Sequence, residues 1–395
     1  MTRRVFFGLS GGLGPVIRCM PIADLYKRAG AEVSFSIYGE NAIALIENAG
    51  YCHLRDDDPT MPDPLKLIES SPVFYDMDHY YAQMGLLDKR FAEAWIIHRI
   101  NMLKQLQPDI VFADMSPQTV LAARYLGIPV IAITQACFHP QGQRVRHWSA
   151  APRNLPKVTP VINKVLDLLD MPRIHQMEEL LAGDLNIVPG IPEFDPIQSG
   201  QAYYVGPLEQ KMQGELKEDA PDILLYPGRL QDSAGSSGLQ LIETMIRALA
   251  DQPYRVLLST NEELPADVLA SLPPNIQRIR FFSAELLARA RLFIHHGGHG
   301  SCMSAIMHGV PSLVIPTHSE REYNARKVWE LGVGEYLLPG CFTADHLNQM
   351  ATFIMEDQYR DRAIELRETV MKRKYAGAAG VYQLAERHIA QQHRF

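Results

Sequence analysis

The sequence predicts two α/β domains in tandem, each built on a parallel sheet with helices packed on its faces. Short apolar segments alternate with segments of helical period in both halves of the chain, and a polar, charged segment separates the halves. The length of 395 residues allows each domain a core of its own. Open parallel sheets bind ligands at the carboxyl ends of their strands, so we expect the site in a cleft between facing domains.

The first half begins with a strand, a helix and a second strand. Residues 4–9, RVFFGL, predict a buried strand, residues 16–30 have helical period, and residues 31–37, AEVSFSI, predict the next strand. The same order returns in PDIVFAD, PQTVLAARYLG and IPVIAIT, where Gly127 ends the helix and Pro129 opens the strand. This order implies parallel pairing with right-handed crossovers. Residues 52–90 have weaker periodicity and predict an irregular segment.

The second half repeats the pattern. Its predicted strands lie in DILLYPG, YRVLLST, IQRIRFF, LFIHHGG and SLVIPT. We therefore predict an N-terminal domain at 1–208, a linker at 209–221 and a C-terminal domain at 222–375. Residues 376–395 predict a helix that packs on one of the domains through Val381, Leu384, Ala385 and Ile389.

Composition excludes several classes of protein. The net charge of -7 and the absence of a basic cluster argue against nucleic acid as a partner. The N-terminal apolar segment is too short for a signal sequence or a membrane span, so we expect a cytoplasmic protein without stable membrane insertion. Five cysteines without CxxC spacing predict reduced thiols, not a disulfide framework or zinc site: Cys19, Cys52, Cys137, Cys302 and Cys341.

The strongest local signal runs from Leu292 to Ala325. A short apolar strand leads into a loop with three glycines, after which a helix is expected to begin at Ser301. Backbone N–H groups and the positive end of the helix would face an anion there, and a diphosphate would fit. The alternative is a glycine-rich turn that only permits tight packing, because short glycine motifs are common.

This segment resembles the C-terminal domain of the UDP-glycosyltransferase superfamily. The family pattern is His-x-Gly-x-Gly-Ser, then Gly-Val-Pro, then an acidic residue with Gln, then Asn-Ala. Its counterparts here are His296, Gly298, Gly300 and Ser301; Gly309, Val310 and Pro311; Glu320 with Arg321; and Asn324 with Ala325. Residues 108–134 and the segment GQAYYVGPL resemble other parts of the family more weakly.

The resemblance, to family 1-like natural-product glycosyltransferases, implies the GT-B fold, in which two Rossmann-like domains face each other across a cleft. It implies a nucleotide-sugar donor held by the C-terminal domain, a small-molecule acceptor, and no metal or other cofactor. By position, His296 would contact the donor phosphates and Glu320 the sugar hydroxyls. The other implied donor-binding residues are Phe282 and Ser283 beside the nucleobase, Gly298, Gly300 and Ser301 around the phosphates, and Arg321 and Asn324. The acidic run at 56–58 reads as a solvated turn, not a metal site.

Two positions depart from the family pattern on the donor side. Ser304 stands where the family commonly has a Glu that grips the ribose hydroxyls, which favours a deoxyribose donor such as a dTDP-sugar over a UDP-sugar. Arg321 stands where the family has Gln. It would suit an acidic sugar, and a surface ion pair is the alternative.

A third departure removes the expected general base. The resemblance implies a catalytic His in the first glycine turn, oriented by an Asp, and that His position falls on Pro15 in the turn of Gly12 and Gly14. Proline is favoured at the first position of a helix, where its fixed φ suits the helix and its missing N–H costs no hydrogen bond, but it cannot accept a proton. The Asp is present as Asp114, which could act as the base itself. His139 is a second candidate base.

The sequence is compatible with several alternative bases and functions. His318 is a third candidate base by position. The acceptor could instead be an already ionised phenol or carboxylate that needs no base. The chain could also bind nucleotides as an auxiliary partner without transferring sugar, or act as a UDP-sugar epimerase. We predict an inverting glycosyltransferase that moves a hexose from UDP or dTDP to a small apolar or aromatic acceptor.

Overall fold

The structure is a computed structural model of the 395-residue chain. It describes residues 2–55, 73–198, 200–208, 220–228, 237–260 and 263–392. The predicted acidic turn at 56–58 and nearly all of the predicted linker at 209–221 lie outside these ranges.

The described residues form two parallel sheets. The first has the strand order β3-β2-β1-β4-β5-β6-β7, with β1 Arg4–Leu9, β2 Glu32–Ser36, β3 Cys52–His53, β4 Ile110–Asp114, β5 Val130–Ile133, β6 Leu185–Val188 and β7 Tyr203–Tyr204. The second has the order β10-β9-β8-β11-β12-β13, with β8 Ile223–Tyr226, β9 Val256–Ser259, β10 Ile276–Ile279, β11 Leu292–His295, β12 Ser312–Val314 and β13 Gly334–Tyr336. The predicted strands are thereby confirmed.

Helices join the strands of both sheets. In the first half they are α1 Leu13–Arg28, α2 Glu40–Asn48, α3 Met77–Tyr81, α4 Lys89–Leu106, α5 Pro117–Leu126 and α6 Thr159–Leu168. In the second half they are α7 Ser237–Leu249, α8 Ala266–Ala270, α9 Ala284–Arg289, α10 His299–His308, α11 Ser319–Glu330, α12 Ala344–Ile354, α13 Asp357–Lys372 and α14 Gly377–Gln392. None of the described helices is long and apolar enough to cross a membrane.

The order of pairing sets a switch point in each sheet. In the first sheet β1 pairs with both β2 and β4, and in the second β8 pairs with both β9 and β11. Chain connections leave in opposite directions at such a point and open a crevice at the carboxyl ends of the strands. The turns that follow β1, β4, β8 and β11 therefore lie where an α/β sheet binds its ligand.

The chain divides into two compact units. The first comprises Met1–Val145, Ala151–Gln210 and Tyr375–Phe395, and the second Arg146–Ala150 and Lys211–Lys374. In the first unit α14 packs on α1 and buries Val381, Ala385 and Ile389 in the core of the first sheet, with Leu384 partly buried beside them. The predicted amphipathic face of the C-terminal helix is the face that packs.

Some helix and strand ends lie where the sequence predicts them, and two helices begin earlier than predicted. Gly127 ends α5 in the left-handed conformation, and β5 begins directly after Pro129, as predicted. Helix α1 begins at Leu13, so Pro15 is its third residue and not its first. Its missing N–H costs no bond even there, because the first four N–H groups have no partner within the helix. Helix α10 begins at His299, two residues before the predicted Ser301.

Candidate active site

The turn from β11 into α10 is organised around Gly297. This residue has a φ of 86°, a left-handed conformation that favours glycine. A β-carbon at Gly297 would lie 2.8 Å from a methyl carbon of Val314 and 2.9 Å from the carbonyl oxygen of Arg321. Glycine is required here both by the backbone conformation and by the packing.

Two buried side chains hold Gly297 in place. His295 accepts the Gly297 N–H on Nδ1 at 3.1 Å, and Asn324 donates Nδ2 to the Gly297 carbonyl oxygen at 2.9 Å. Burial lowers the pKa of His295 to about 3, so its ring stays neutral and keeps Nδ1 as an acceptor. Asn324 is fully buried, and its hydrogen bond to the Gly297 carbonyl oxygen stabilises the conformation of the turn. Asn324 is among the donor-binding residues that the family resemblance implies, whereas His295 is not predicted from the sequence.

His296 packs between two glycines. A β-carbon on Gly298 would lie 2.7 Å from its Nε2, and one on Gly228 would lie 3.0 Å from its Nδ1. Tyr226, at the end of β8, contacts the imidazole edge-on with ring centroids 5.3 Å apart. The imidazole therefore lies between the ends of β8 and β11, at the switch point of the second sheet.

The N-terminus of α10 directly follows this imidazole. Gly298 is the N-cap residue and supplies no side-chain cap, and the first backbone bond of the helix runs from Cys302 N–H to Gly298. The first-turn N–H groups, which include those of exposed Gly300 and half-buried Ser301, have no acceptor within the helix. Such a turn binds an anion through N–H groups and the helix dipole.

Helix α11 brings further polar groups beside the turn. Glu320 accepts a hydrogen bond from Asn324 Nδ2 at 3.1 Å, and the Nε2 of His318 lies 3.8 Å from its other carboxylate oxygen. Arg321 donates Nη1 to the hydroxyl of Thr317. Asn324 thus joins Glu320 to Gly297, which couples the predicted sugar-contacting carboxylate to the glycine turn.

The predicted nucleobase segment has a structural role in this unit. Ser283 is the N-cap of α9, where its hydroxyl oxygen accepts the Leu286 N–H at 3.1 Å. Phe282 is partly buried, with its ring edge-on to Tyr226 and Phe293. Ser283 therefore stabilises a helix end, and Phe282 packs beside the aromatic residue that contacts His296.

In the first unit, Asp114 is the final residue of β4 and is fully buried. Arg18, one turn into α1 from Gly14, makes two hydrogen bonds with its carboxylate, from Nε to Oδ2 and from Nη2 to Oδ1, the latter at 2.8 Å. Asp114 is therefore an ion-pair partner in the described structure, and its role as a general base stays a prediction.

The turn before Arg18 carries no titratable side chain. Gly12 is the N-cap residue of α1 with a φ of 114°, and Gly14 is exposed and has open space around its α-carbon. Pro15 is half-buried in the first turn of the helix. These three residues shape the turn and offer no proton acceptor.

His139 lies in the short segment after β5 and is almost fully buried. Its Nδ1 accepts the Gln141 N–H at 3.1 Å, so the neutral ring carries its proton on Nε2. Burial lowers the pKa of His139 to about 4. The imidazole is neutral at pH 7 but presents a donor at Nε2, which argues against its assignment as the base.

A metal site requires several His, Cys, Asp or Glu side chains close together. In those ranges, no group of three or more His, Cys, Asp or Glu side chains lies close enough together to hold a metal ion. Among the described residues, His296 and the N-terminus of α10 form an arrangement that suits a diphosphate, because free N–H groups at a helix N-terminus bind anions.

The chain is similar in sequence to known glycosyltransferases. Residues 243–376 match the family described as erythromycin biosynthesis protein CIII-like, C-terminal domain. An uncharacterised glycosyltransferase of Methanosarcina mazei is 25% identical over 391 residues, which are 95% of this chain and 96% of the relative. The demethyllactenocin mycarosyltransferase of Streptomyces fradiae is 26% identical over 297 residues, 69% of this chain and 60% of that enzyme.

Solved structures share the fold over nearly the whole chain. The calicheamicin glycosyltransferase CalG4 has a TM-score of 0.73 at 20% identity, with 98% of each chain covered. The glycosyltransferase VinC, solved in complex with dTDP, has a TM-score of 0.67 at 18% identity and covers 98% of this chain and 100% of its own. The fold is GT-B. The chain is a glycosyltransferase, and the relatives that it resembles include enzymes of natural-product biosynthesis.

Proposed function

We propose that the protein transfers a hexose, with inversion at C1, from a nucleoside diphosphate to a small apolar or aromatic acceptor. The observation that carries the proposal is the β11–α10 turn, where His296 and the uncapped α10 N-terminus converge at the switch point of the second sheet. The second unit would hold the donor there. The first unit would hold the acceptor near the turn of Gly12, Gly14 and Pro15 and the end of β4.

The diphosphate is the leaving group, and its charge grows as the C1–O bond breaks. First-turn N–H groups of α10 and the Ser301 hydroxyl would donate to its oxygens, and His296 would donate from its imidazole. Glu320, held by Asn324, would accept hydrogen bonds from sugar hydroxyls. These groups would stabilise the leaving diphosphate, so we propose that the reaction needs no metal ion or other cofactor.

The donor nucleotide is proposed to be dTDP in preference to UDP. Ser304 lies half-buried on α10, one turn after Gly300, where a longer carboxylate would be needed to reach ribose hydroxyls. Its own backbone carbonyl accepts a hydrogen bond from the ring of His308 at 2.8 Å. The structure of VinC in complex with dTDP supports a thymidine nucleotide in this fold.

A product assay tests the proposal. The purified full-length protein is incubated with dTDP-α-glucose or UDP-α-glucose and a panel of phenols, aromatic acids and alcohols, in the presence of EDTA. The proposal predicts a β-glycoside, identified by the anomeric coupling in NMR. An α-glycoside contradicts inversion, and activity lost in EDTA but restored by Mg²⁺ contradicts metal independence.

The same assay separates the rival functions. Donor sugar that is converted to another sugar nucleotide without any acceptor would indicate an epimerase. Nucleotide binding without turnover across the whole panel would indicate an auxiliary binding protein. Either result contradicts the proposed transferase.

A further inference from the structure

Two of the groups that the sequence offered as general bases, Asp114 and His139, have accepting atoms engaged by hydrogen bonds in the described structure. Asp114 is tied by two hydrogen bonds to Arg18, and its side chain is 1% exposed. His139 has its acceptor nitrogen occupied by the Gln141 N–H. His318, in the second unit, has its Nε2 3.8 Å from the carboxylate of Glu320.

The Arg18–Asp114 pair also changes the charge beside the turn of Gly12, Gly14 and Pro15, where the acceptor is proposed to bind. An unpaired buried carboxylate would repel an anionic nucleophile and attract a proton, and so suit a neutral hydroxyl acceptor. The guanidinium cancels that charge, and its side chain is 17% exposed while the carboxylate is covered. An anion near this turn meets the partly exposed cation of the pair and not its carboxylate.

From this arrangement we infer that the acceptor's attacking oxygen is already ionised at neutral pH, as in an acidic phenol or a carboxylate, and is not an aliphatic alcohol. This inference rests on the proposed function and names its acceptor class. An acceptor of this kind delivers no proton in the transition state, so no protein group has to remove one.

The step balances without a base. A lone pair of the acceptor oxygen forms the new bond to C1 as the bond between C1 and the β-phosphate oxygen breaks. The electron pair of that bond leaves with the nucleoside diphosphate, and the negative charge moves from the acceptor to the diphosphate. The protein orients the acceptor and stabilises the leaving group at the α10 N-terminus.

A matched acceptor series tests the inference with the full-length protein and dTDP-glucose. The acceptors are para-nitrophenol, para-nitrobenzoate, para-methylphenol and para-nitrobenzyl alcohol, which share one ring size. We expect kcat/KM for para-nitrophenol or para-nitrobenzoate to exceed that of the alcohol by at least about 100-fold, the usual contribution of a general base. The two acidic acceptors show whether a phenolate or a carboxylate is preferred.

The pH profile supplies an independent readout. For the phenols, kcat/KM should fall on the acid side at the pKa of each acceptor, so the limb should move to higher pH for para-methylphenol. An acid limb at the same pH for both phenols indicates a titrating protein group and overturns the inference, as does equal kcat/KM for the alcohol.

Failure of the inference and failure of the proposed function give different results. Binding of dTDP in a calorimeter, with product from the alcohol alone, overturns the acceptor inference and leaves the proposed transferase standing, whereas binding without product from any acceptor contradicts the transferase as well. A folded protein that binds neither dTDP nor UDP removes the proposed function itself.

Discussion

Arg18 and Asp114 lie 96 residues apart in the chain and meet in a two-bond ion pair where β4 ends and α1 begins its second turn. By resemblance to the UDP-glycosyltransferase superfamily, Asp114 would orient a catalytic His. In this chain Pro15 occupies the His position and a guanidinium satisfies the carboxylate. The guanidinium compensates the charge of the buried Asp114 carboxylate.

We predict that Arg18→Gln strongly destabilises the first unit. The change leaves the Asp114 carboxylate buried without its cation, which costs about 3–5 kcal/mol for a buried pair. Denaturant unfolding measures the loss, with Arg28→Gln as a control on the exposed end of the same helix. The double variant Arg18→Gln with Asp114→Asn should recover part of the loss, and strictly additive losses would contradict the pair's importance.

His295 is predicted to position the donor turn through the Gly297 N–H. His295→Leu removes the acceptor and should weaken dTDP binding about tenfold, within the ~1–3 kcal/mol range of an unsatisfied buried donor. His295→Asn is the matched variant, because its Oδ1 can take the place of Nδ1, and it should bind nearly as the wild type does. Calorimetric titration gives both affinities. Equal affinities for the two variants would show that the hydrogen bond has no part in binding.

Stability should fall as the pH drops below about 6.5, the ordinary pKa of histidine. His295 and His139 have pKa values of about 3 and about 4 when folded, so between these values and 6.5 the unfolded chain binds protons that the native protein does not. Each contributes a slope approaching 1.4 kcal/mol per pH unit, ~2.303RT, which is fully present near pH 5. Unfolding of His295→Asn from pH 7 to pH 5 should show the reduced slope, and an unchanged slope would contradict the buried neutral ring.

Ser304 is predicted to set the preference for the nucleotide. Ser304→Glu places a carboxylate where ribose hydroxyls would lie and should raise the affinity for UDP relative to dTDP by about tenfold, as for a hydrogen bond to a charged group. Ser304→Ala serves as the control and should leave the ratio of the two affinities unchanged. Paired titrations with both nucleotides measure the ratio. If Ser304→Glu leaves the ratio of the UDP and dTDP affinities unchanged, the sugar of the nucleotide does not bind beside Ser304.

Much of the fold follows from local pattern. Strands such as β1 and β4 are nearly continuous apolar runs because helices cover both faces of a parallel sheet, and such runs are easy to recognise. The helix end at Gly127 and the apolar face of α14 could also be predicted, because a left-handed glycine cap and an amphipathic helix are set by residues close together in the sequence. Helix starts at Leu13 and His299 were missed by two residues, since neither has a capping side chain as a marker.

The site was only partly readable from sequence. The turn at His296 to Ser301 could be recognised because three of its residues, Gly297, Gly298 and Gly300, are glycines close together in the chain. The role of Asn324 as a support for Gly297, 27 residues away, depends on how α11 packs. The Arg18–Asp114 pair depends on β1 and β4 being neighbours in the sheet, which the order of residues does not state. His295 had a signal, since a second His at the end of β11 is an unusual residue for a buried strand.

Calorimetric titration of dTDP into the folded, full-length protein tests the central claim most directly, that the β11–α10 turn holds the donor diphosphate. We predict measurable binding that His296→Ala weakens by about 10–100-fold, as expected for loss of a hydrogen bond to a charged group. His346→Ala, an exposed histidine in the same unit, should bind as the wild type does. Absence of binding by the wild type to dTDP and UDP alike, or equal affinities for the two histidine variants, would contradict the claim.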